Sequence, residues 1–329
     1  TIEEAEIART IDREEIVTLP GSLGDPVRAI QNLPGLARPP FGSGQLLVRG
    51  TGPEDTAYFI DGLQVPLVFH FTAVSTVISA QMVDEITFFP GSWGVRYGRA
   101  QGGIVDLAID ETLPRKPYTE VGVDLFQTSV FSKFRVGEKL GLQMAVRRSY
   151  VDAVLNPVLP SLGLGAIRAP RYYDAQIRLQ HDAGRVGMFD VQFLLSDDRF
   201  KVVGEETEET SIGLVTAFQK LAMSWTVELP GGWRNELTAN GGPQVERFDV
   251  TDGEAYEKPV IGMVRNELYK AAPDTGGVGW RLGVDVEGGY DQFRYDVPGF
   301  PSKEEGSAWY MAPALYAEPT IKVGFAELT

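Results

Sequence analysis

PGSWGVRYGRAQGGIVDL, Pro90 to Leu107, is the stretch whose reading decides the fold. It holds five glycines, Gly91, Gly94, Gly98, Gly102 and Gly103, and Arg96 and Arg99 flank its Tyr97-Gly98 step. Glycine at this density predicts tight turns and close backbone approach, because only glycine enters the φ > 0 regions without strain. Its end, Gly103-Ile104-Val105-Asp106-Leu107-Ala108-Ile109, is rich in β-branched residues and reads as a strand. A compact, turn-rich module therefore closes near Pro114, and long alternating segments with Asp, Gly and Pro breaks follow it. The chain divides there, into residues 1–114 and 115–329.

Upstream of that stretch the signals are short and varied. The first dozen residues are charged and read as a partly ordered lead-in. Asp12-Arg13-Glu14-Glu15-Ile16 has an N-cap residue followed three positions later by Glu15, a start for a short helix that Pro20-Gly21-Ser22 ends. Asp25-Pro26-Val27-Arg28-Ala29-Ile30-Gln31-Asn32-Leu33 sets Asp at the N-cap and Pro at N1, with apolar residues at 27, 30 and 33. It predicts a short amphipathic helix stopped by Pro34-Gly35. Leu46–Gly50, Ala57–Gly62 and Asp84–Gly91 read as strands bounded by glycine turns.

In this order the pieces resemble the plug domain of TonB-dependent outer-membrane transporters. The motifs are D-P-x-x-A-I-Q-N-L-P-G at Asp25–Gly35, V-R-G at Val48–Gly50, Y-F-I-D-G at Tyr58–Gly62, E-I-T-F-F-P-G at Glu85–Gly91 and R-Y-G-R-A-x-G-G at Arg96–Gly103. Each alone is a weak signal; five in sequence over about 80 residues are specific. The resemblance implies an α+β plug filling the lumen of an antiparallel membrane β-barrel, blocking diffusion until an inner-membrane energy transducer, TonB, pulls on it.

The resemblance also assigns candidate site residues. Plug arginines at the positions of Arg49, Arg96 and Arg99 lock onto carboxylates of the barrel wall in that family. Arginine suits such a lock because its planar fork binds a carboxylate bidentately and keeps its charge when partly buried. The plainer reading is of solvated loop charges. Val65–Phe71 corresponds to a plug loop facing the extracellular vestibule, making Phe69, His70 and Phe71 candidate ligand contacts. Alternatively, Phe69 and Phe71 pack on the wall and His70 only satisfies a backbone carbonyl. Residues 38–45, with Arg38 and Phe41, form a second candidate apical loop.

Composition narrows the chemistry. A net charge of −15 with no basic stripe argues against a nucleic-acid partner. There is no cysteine, which fits a reducing compartment or a large fold without staples. The two histidines, His70 and His181, fall in different parts, so a transition-metal site is not expected and no cofactor is implied. The run Glu205-Glu206-Thr207-Glu208-Glu209 could attract calcium, but it reads better as a solvated loop. No catalytic triad order, nucleophile elbow or phosphate loop is present, so an enzyme is not expected.

Residues 115–329 alternate with period two. Trp280, Leu282, Val284 and Val286 fall on one side, with Arg281, Asp285 and Glu287 on the other; Ile177 and Leu179 alternate with Gln176, Arg178 and Gln180. Leu142, Met144 and Val146, and then Leu221 to Leu229, continue the pattern. Apolar-out, polar-in alternation in runs as long as Ser211–Leu229 predicts a lipid-facing barrel wall, with Tyr172-Tyr173, Trp233, Trp280 and Trp309 as interfacial residues. About ten strands are visible. The family's barrel has 22, and some 215 residues cannot supply that many at about nine to eleven residues each. The remaining strands are expected either from sequence outside this chain or from another polypeptide.

The sequence thus predicts a plug-gated transporter of the Gram-negative outer membrane, taking up a scarce nutrient such as a siderophore, cobalamin, glycan or peptide. Its expected partners are outer-membrane lipid, TonB, the substrate and other envelope proteins. The rival is a plug-barrel protein without transport, acting as a surface receptor or as an anchor in an envelope assembly. A soluble β-rich binding protein is a third possibility. No signal-peptide pattern opens the chain and no transducer-binding box is recognisable over residues 1–10, leaving energy coupling open.

Overall fold

A computed structural model describes the chain except residues 1–7, 20–21, 23–24, 31–35, 38–45, 53–54, 71–74, 112–113, 115, 125, 164–166, 204–209, 300–302, 324–325 and 329. Arg38, Phe41, Phe71, the lead-in 1–7, the Pro34-Gly35 stop and the acidic run 205–209 therefore lie outside the described residues.

The first part is a small mixed unit. Strands β1 (Arg9–Asp12), β2 (Leu36–Ala37), β3 (Leu47–Val48), β4 (Thr56–Ile60), β5 (Leu63–Val65), β6 (Val83–Phe89) and β7 (Gly103–Ile109) alternate with helices α1 (Arg13–Thr18) and α2 (Pro26–Ile30). Five of them form one sheet in the order β1-β6-β7-β4-β5, with β4 and β7 parallel and the other neighbours antiparallel. The capping signals act as read: the Asp12 carboxylate accepts from the Glu15 N–H at 2.8 Å, and the Asp25 carboxylate from the Arg28 N–H at 3.1 Å. Helix α2 is described over Pro26–Ile30, the rest of its expected length lying outside the described residues. The run Leu46–Gly50 yields only two strand residues before Arg49 and Gly50 turn with positive φ.

Strand β4 is buried throughout, so it must be covered on both faces. One face joins a core of Ile11, Ile30, Val48, Leu63, Ile86 and Leu107. The other, Ala57 and Phe59 beside Ile104, is covered by Trp93, Tyr97 and Ala100 of the glycine-rich stretch. Tyr97 packs edge-on to Phe59 with centroids 5.3 Å apart. The glycines of this stretch act differently from expectation. None of the five has positive φ; the left-handed conformations fall on Ser92 (55°) and Arg99 (65°). What the glycines supply is close approach. A Cβ on Gly103 would sit 2.9 Å from Val48 Cγ2, and one on Gly102 would sit 2.5 Å from Thr51 Oγ1 and 2.9 Å from Asp55 Cβ.

The second part is an antiparallel meander. Its strands are β8 (Tyr118–Val123), β9 (Gln127–Val136), β10 (Leu140–Ser149), β11 (Ile167–Asp182), β12 (Met188–Val203), β13 (Thr210–Leu229), β14 (Trp233–Val250), β15 (Gly253–Glu257), β16 (Val260–Lys270), β17 (Gly277–Asp296), β18 (Glu304–Val323) and β19 (Ala326–Leu328). Strands β15 and β16 share one register against both β14 and β17, so they are a single strand interrupted at Lys258-Pro259. Proline cannot donate to the ladder there. A five-residue helix, α3 (Val151–Leu155), sits in the β10–β11 connection, where no helix was expected. Among the described residues β8 and β19 each pair on one side only.

The alternation resolves as read. Ile177 and Leu179 are exposed on the outer face of β11 while Gln176, Arg178 and Gln180 are buried inside. Val284 and Val286 are exposed on β17 while Asp285 is buried. No described helix is long and apolar enough to cross a membrane, which says nothing of strands. The wall curls around the inner unit: Phe131, Ala145, Leu194, Phe218 and Ala222 of β9, β10, β12 and β13 join its apolar core. On the far side, Glu318 of β18 reaches to 3.3 Å from where a Cβ on Gly94 would lie.

Gly102→Ala is expected to lower stability by about 1–3 kcal/mol through overpacking. Gly98→Ala, whose Cβ would meet nothing within 4 Å, should stay within about 0.5 kcal/mol of the parent. Chemical denaturation in detergent, monitored by intrinsic fluorescence, distinguishes the two.

Candidate functional site

A wall strand that turns its polar side inward carries charge into a space largely closed to water, where it needs a partner. The inner unit supplies those partners at several levels. Nearest the long β10–β11 and β12–β13 connections lies a cluster around Arg147 of β10. Its Nε donates to Asp174 Oδ2 of β11 at 2.8 Å, Nη1 to Ser75 Oγ at 2.5 Å, and Nη2 to the Thr76 carbonyl. Thr76 in turn donates through its N–H (2.7 Å) and hydroxyl (3.1 Å) to the Asp25 carboxylate, which also caps α2. Burial raises the Asp25 pKa, against the Thr76 and Arg28 N–H groups and Arg147, which pull it down. Gln176 bridges wall and inner unit twice, accepting from Ser79 N–H at 3.2 Å and donating to the Val77 carbonyl at 2.7 Å.

Arg178, two rungs along β11, is the centre of a second cluster. It meets Asp61 of the β4–β5 turn at 3.1 Å, Asp190 of β12 at 2.7 Å and Glu111 at 3.3 Å, and donates to the Ile109 carbonyl at 3.1 Å. Asp61, at φ 47°, also accepts from Ile109 N–H at 3.0 Å and Gln192 Nε2 at 3.1 Å. Burial pushes the Asp61 carboxyl up to about 7, with Arg178 and the Ile109 N–H opposing. Asp110 completes this level, paired with Lys133 at 2.8 Å and Arg13 at 3.6 Å, while its carbonyl accepts from Gln143.

The three arginines singled out in the sequence occupy three different settings. Arg99 reaches the wall: its Nη2 lies 2.9 Å from Asp285 Oδ1 and 2.6 Å from the Ala312 carbonyl, and Nε is 3.9 Å from Glu287. Arg265 shares Asp285 at 3.2 Å. Arg96 is half-buried, with Nη2 3.9 Å from where a Cβ on Gly62 would lie, in the field of Glu267 and Glu236 of the wall; its Nε has no hydrogen-bond partner among the described residues. Arg49 stays within the inner unit, with Nη1 2.9 Å from where a Cβ on Gly91 would lie. Among the described residues it forms no ion pair with the wall.

Phe69 and His70 are both enclosed. Phe69 lies in the inner core, in an isolated bridge with Thr76. His70 lies against the wall between Asp174 and Asp198, stacked 3.9 Å from the Tyr172 ring. Below these contacts, at the short-turn end of β11–β14, a polar cavity of about 970 Å³ opens between inner unit and wall, lined by Asp61, Arg96, Asp106, Arg178 and Glu236 among others. Asp106 Oδ2 accepts from Tyr97 at 2.5 Å, while Oδ1 has no partner among the described residues. The described residues hold no group of three or more His, Cys, Asp and Glu side chains that could take a metal ion.

Sequence reading placed Arg147 and Arg178 on the polar side of their strands but did not single them out, nor Asp174, Asp190 and Asp198. The available signal was a charge in mid-strand on the polar face of an alternating run, since a solvated wall would gather its charges near strand ends.

Residues 2–104 match the family model for the TonB-dependent receptor plug domain. No curated protein matches the chain. Among solved structures, it is similar to a mutant of the ferric enterobactin receptor from Pseudomonas aeruginosa, with a TM-score of 0.66 and 15% identity over 97% of this chain and 56% of that one. The siderophore receptor PirA from Acinetobacter baumannii gives 0.65 and 15% over 97% and 55%. The outer membrane transporter YddB from Escherichia coli gives 0.66 and 14% over 96% and 54%. The chain spans little more than half of each, and at these identities the likeness is one of fold.

Arg147→Ala leaves Asp174 buried without its cation and should destabilise by about 3–5 kcal/mol. Arg99→Ala, whose side chain is 28% exposed, should lose about 1 kcal/mol. Denaturation midpoints, together with protease cleavage of the inner unit, give the order.

Proposed function

We propose that this chain, which carries the plug domain of the TonB-dependent receptors within the wall fold of that family, is part of an outer-membrane transporter whose plug gates energised uptake of a scarce nutrient. The plug is taken as residues 1–114 and the wall as 115–329. The observation that carries the reading is how the inner unit is held. Its contacts with the wall are mostly hydrogen bonds and ion pairs, at Arg147, Arg178, Lys133 and Arg99. Polar contacts of this kind can be exchanged for water when the plug is pulled, while a broad apolar weld could not. The exposed apolar outer face of the wall supports placement in lipid, with completing strands beyond β8 and β19 closing the barrel.

The similar structures include a ferric enterobactin receptor and a siderophore receptor, which makes a ferric siderophore the first substrate to test. The ion pair of Arg99 with Asp285 supports its reading as a lock residue. Arg96, with Glu236 and Glu267 nearby, is the second arginine of the same lock. The rival reading, a receptor or anchor without transport, shares all of this structure and differs only in whether the plug must move.

That difference is measurable. Gln81 of the plug donates to Glu120 of β8 at 2.6 Å, and the chain has no native cysteine. Gln81→Cys with Glu120→Cys, joined by a short bis-methanethiosulfonate cross-linker in the full receptor, should abolish TonB-dependent uptake of a radiolabelled ferric siderophore, and reduction of the two disulfides should restore it. Uptake at the parent rate with the cross-link intact would contradict plug gating. Binding without uptake, before and after reduction, would favour the non-transporting receptor.

A further inference from the structure

His70 is fully buried, and both ring nitrogens face carboxylates. Nδ1 is 3.0 Å from each oxygen of Asp198, and Nε2 is 3.1 Å from Asp174 Oδ2. A neutral imidazole has one N–H and can donate to only one of them, leaving the other nitrogen lone pair against an anionic oxygen. An imidazolium donates to both. The charges then balance: His70 and Arg147 carry two positive charges, Asp174 and Asp198 two negative ones. A neutral ring would leave one buried anion uncompensated. Tyr172 stacks on the ring at an interplanar angle of 12°, its quadrupole favouring a cation there. One contact opposes this: Arg147 Nη2 lies 3.4 Å from Nε2, a distance at which a neutral ring could accept. That guanidinium nitrogen gives one of its two N–H groups to the Thr76 carbonyl, and at 3.4 Å its contact with Nε2 is longer than the 3.1 Å from Nε2 to Asp174.

We propose that His70 is held doubly protonated and is a proton-dependent latch, fastening plug residues 68–70 and 75–79 to wall strands β10, β11 and β12. The groups facing it are Arg147 from β10, Tyr172 and Asp174 from β11, and Asp198 from β12. Asp197 stands beside Asp198 with Arg199 on it at 2.9 Å, and Asp25 is linked through Thr76. Deprotonation removes the one donor that ties both aspartates to the plug. The latch rests on this geometry alone and stands whether or not the protein transports.

Burial by itself lowers the imidazole pKa, but Asp198 and Asp174 outweigh it, and the net direction is upward from the ordinary 6.5. The sign follows: the folded state holds the proton more tightly than the unfolded chain. The stabilisation is therefore complete below about 6.5 and is lost as pH rises through the folded-state value.

¹⁵N-histidine NMR of the intact receptor in detergent reads the ring state directly once the signals of the other histidines, His181 among them, are assigned by single His→Gln substitutions. The latch predicts imidazolium shifts for His70 that persist above the ordinary imidazole value of about 6.5. It also predicts that the thermal midpoint of the parent falls by about 2–4 °C more than that of His70→Gln between pH 6.5 and 9. A neutral His70 tautomer at pH 7, or parallel pH profiles of parent and variant, would overturn it. The NMR arm stands even if the variant fails to fold.

Discussion

The fold depends on one constraint, the placing of charge inside a wall whose outer face is apolar. Period-two alternation gives every long wall strand a polar interior, and Arg147, Arg178, Lys133 and Asp285 are buried there. Left unpaired they would be destabilising by several kcal/mol each. The wall pairs three of them itself, Arg147 with Asp174, Arg178 with Asp190 and Asp285 with Arg265, and the plug adds partners to all four through Ser75, Thr76, Asp61, Asp110 and Arg99. Buried ion pairs add little net stability because desolvation offsets attraction, but they discriminate sharply against wrong placement. Such contacts therefore fix where the plug sits without welding it in place.

The glycine-rich stretch matters to the same constraint from inside the plug. By covering the second face of β4 with Trp93 and Tyr97, it lets the central strand be buried on both sides. It also carries Arg99 to Asp285 on a left-handed backbone, a conformation that a residue with a side chain rarely adopts. Strain held at a contact between plug and wall is retained only where the surroundings over-determine it. Gly102 and Gly103 fit that account, since they allow the close packing that holds the stretch down.

Much of the fold was legible in the sequence because its signals were local. Asp12 and Asp25 declared their helix starts, and the breaks at Pro230-Gly231-Gly232 and Thr251-Asp252-Gly253 bound strands β13, β14 and β15. The inward and outward faces of β11 and β17 followed from alternation alone. The candidate site was less legible, since its partners are distant in sequence: His70 meets Asp198, and Arg99 meets Asp285. An arginine beside a glycine turn looks the same at positions 49, 96 and 99. Only the three-dimensional path sends Arg49 back over Gly91, Arg96 beside Gly62 and Arg99 out to the wall. The helix α3 gave no signal, being one turn with no side-chain cap.

The central claim is that buried charge pairs between plug and wall set the plug's seat, and a double-mutant cycle on Asp61 and Arg178 tests it most directly. Asp61→Asn, Arg178→Gln and the double variant would be compared by chemical denaturation of the intact protein in detergent. The account predicts a coupling energy of about 1–3 kcal/mol between the two sites. A coupling within about 0.3 kcal/mol of zero would contradict it, and would leave the small apolar contact at Phe131, Leu194 and Phe218 as what seats the plug.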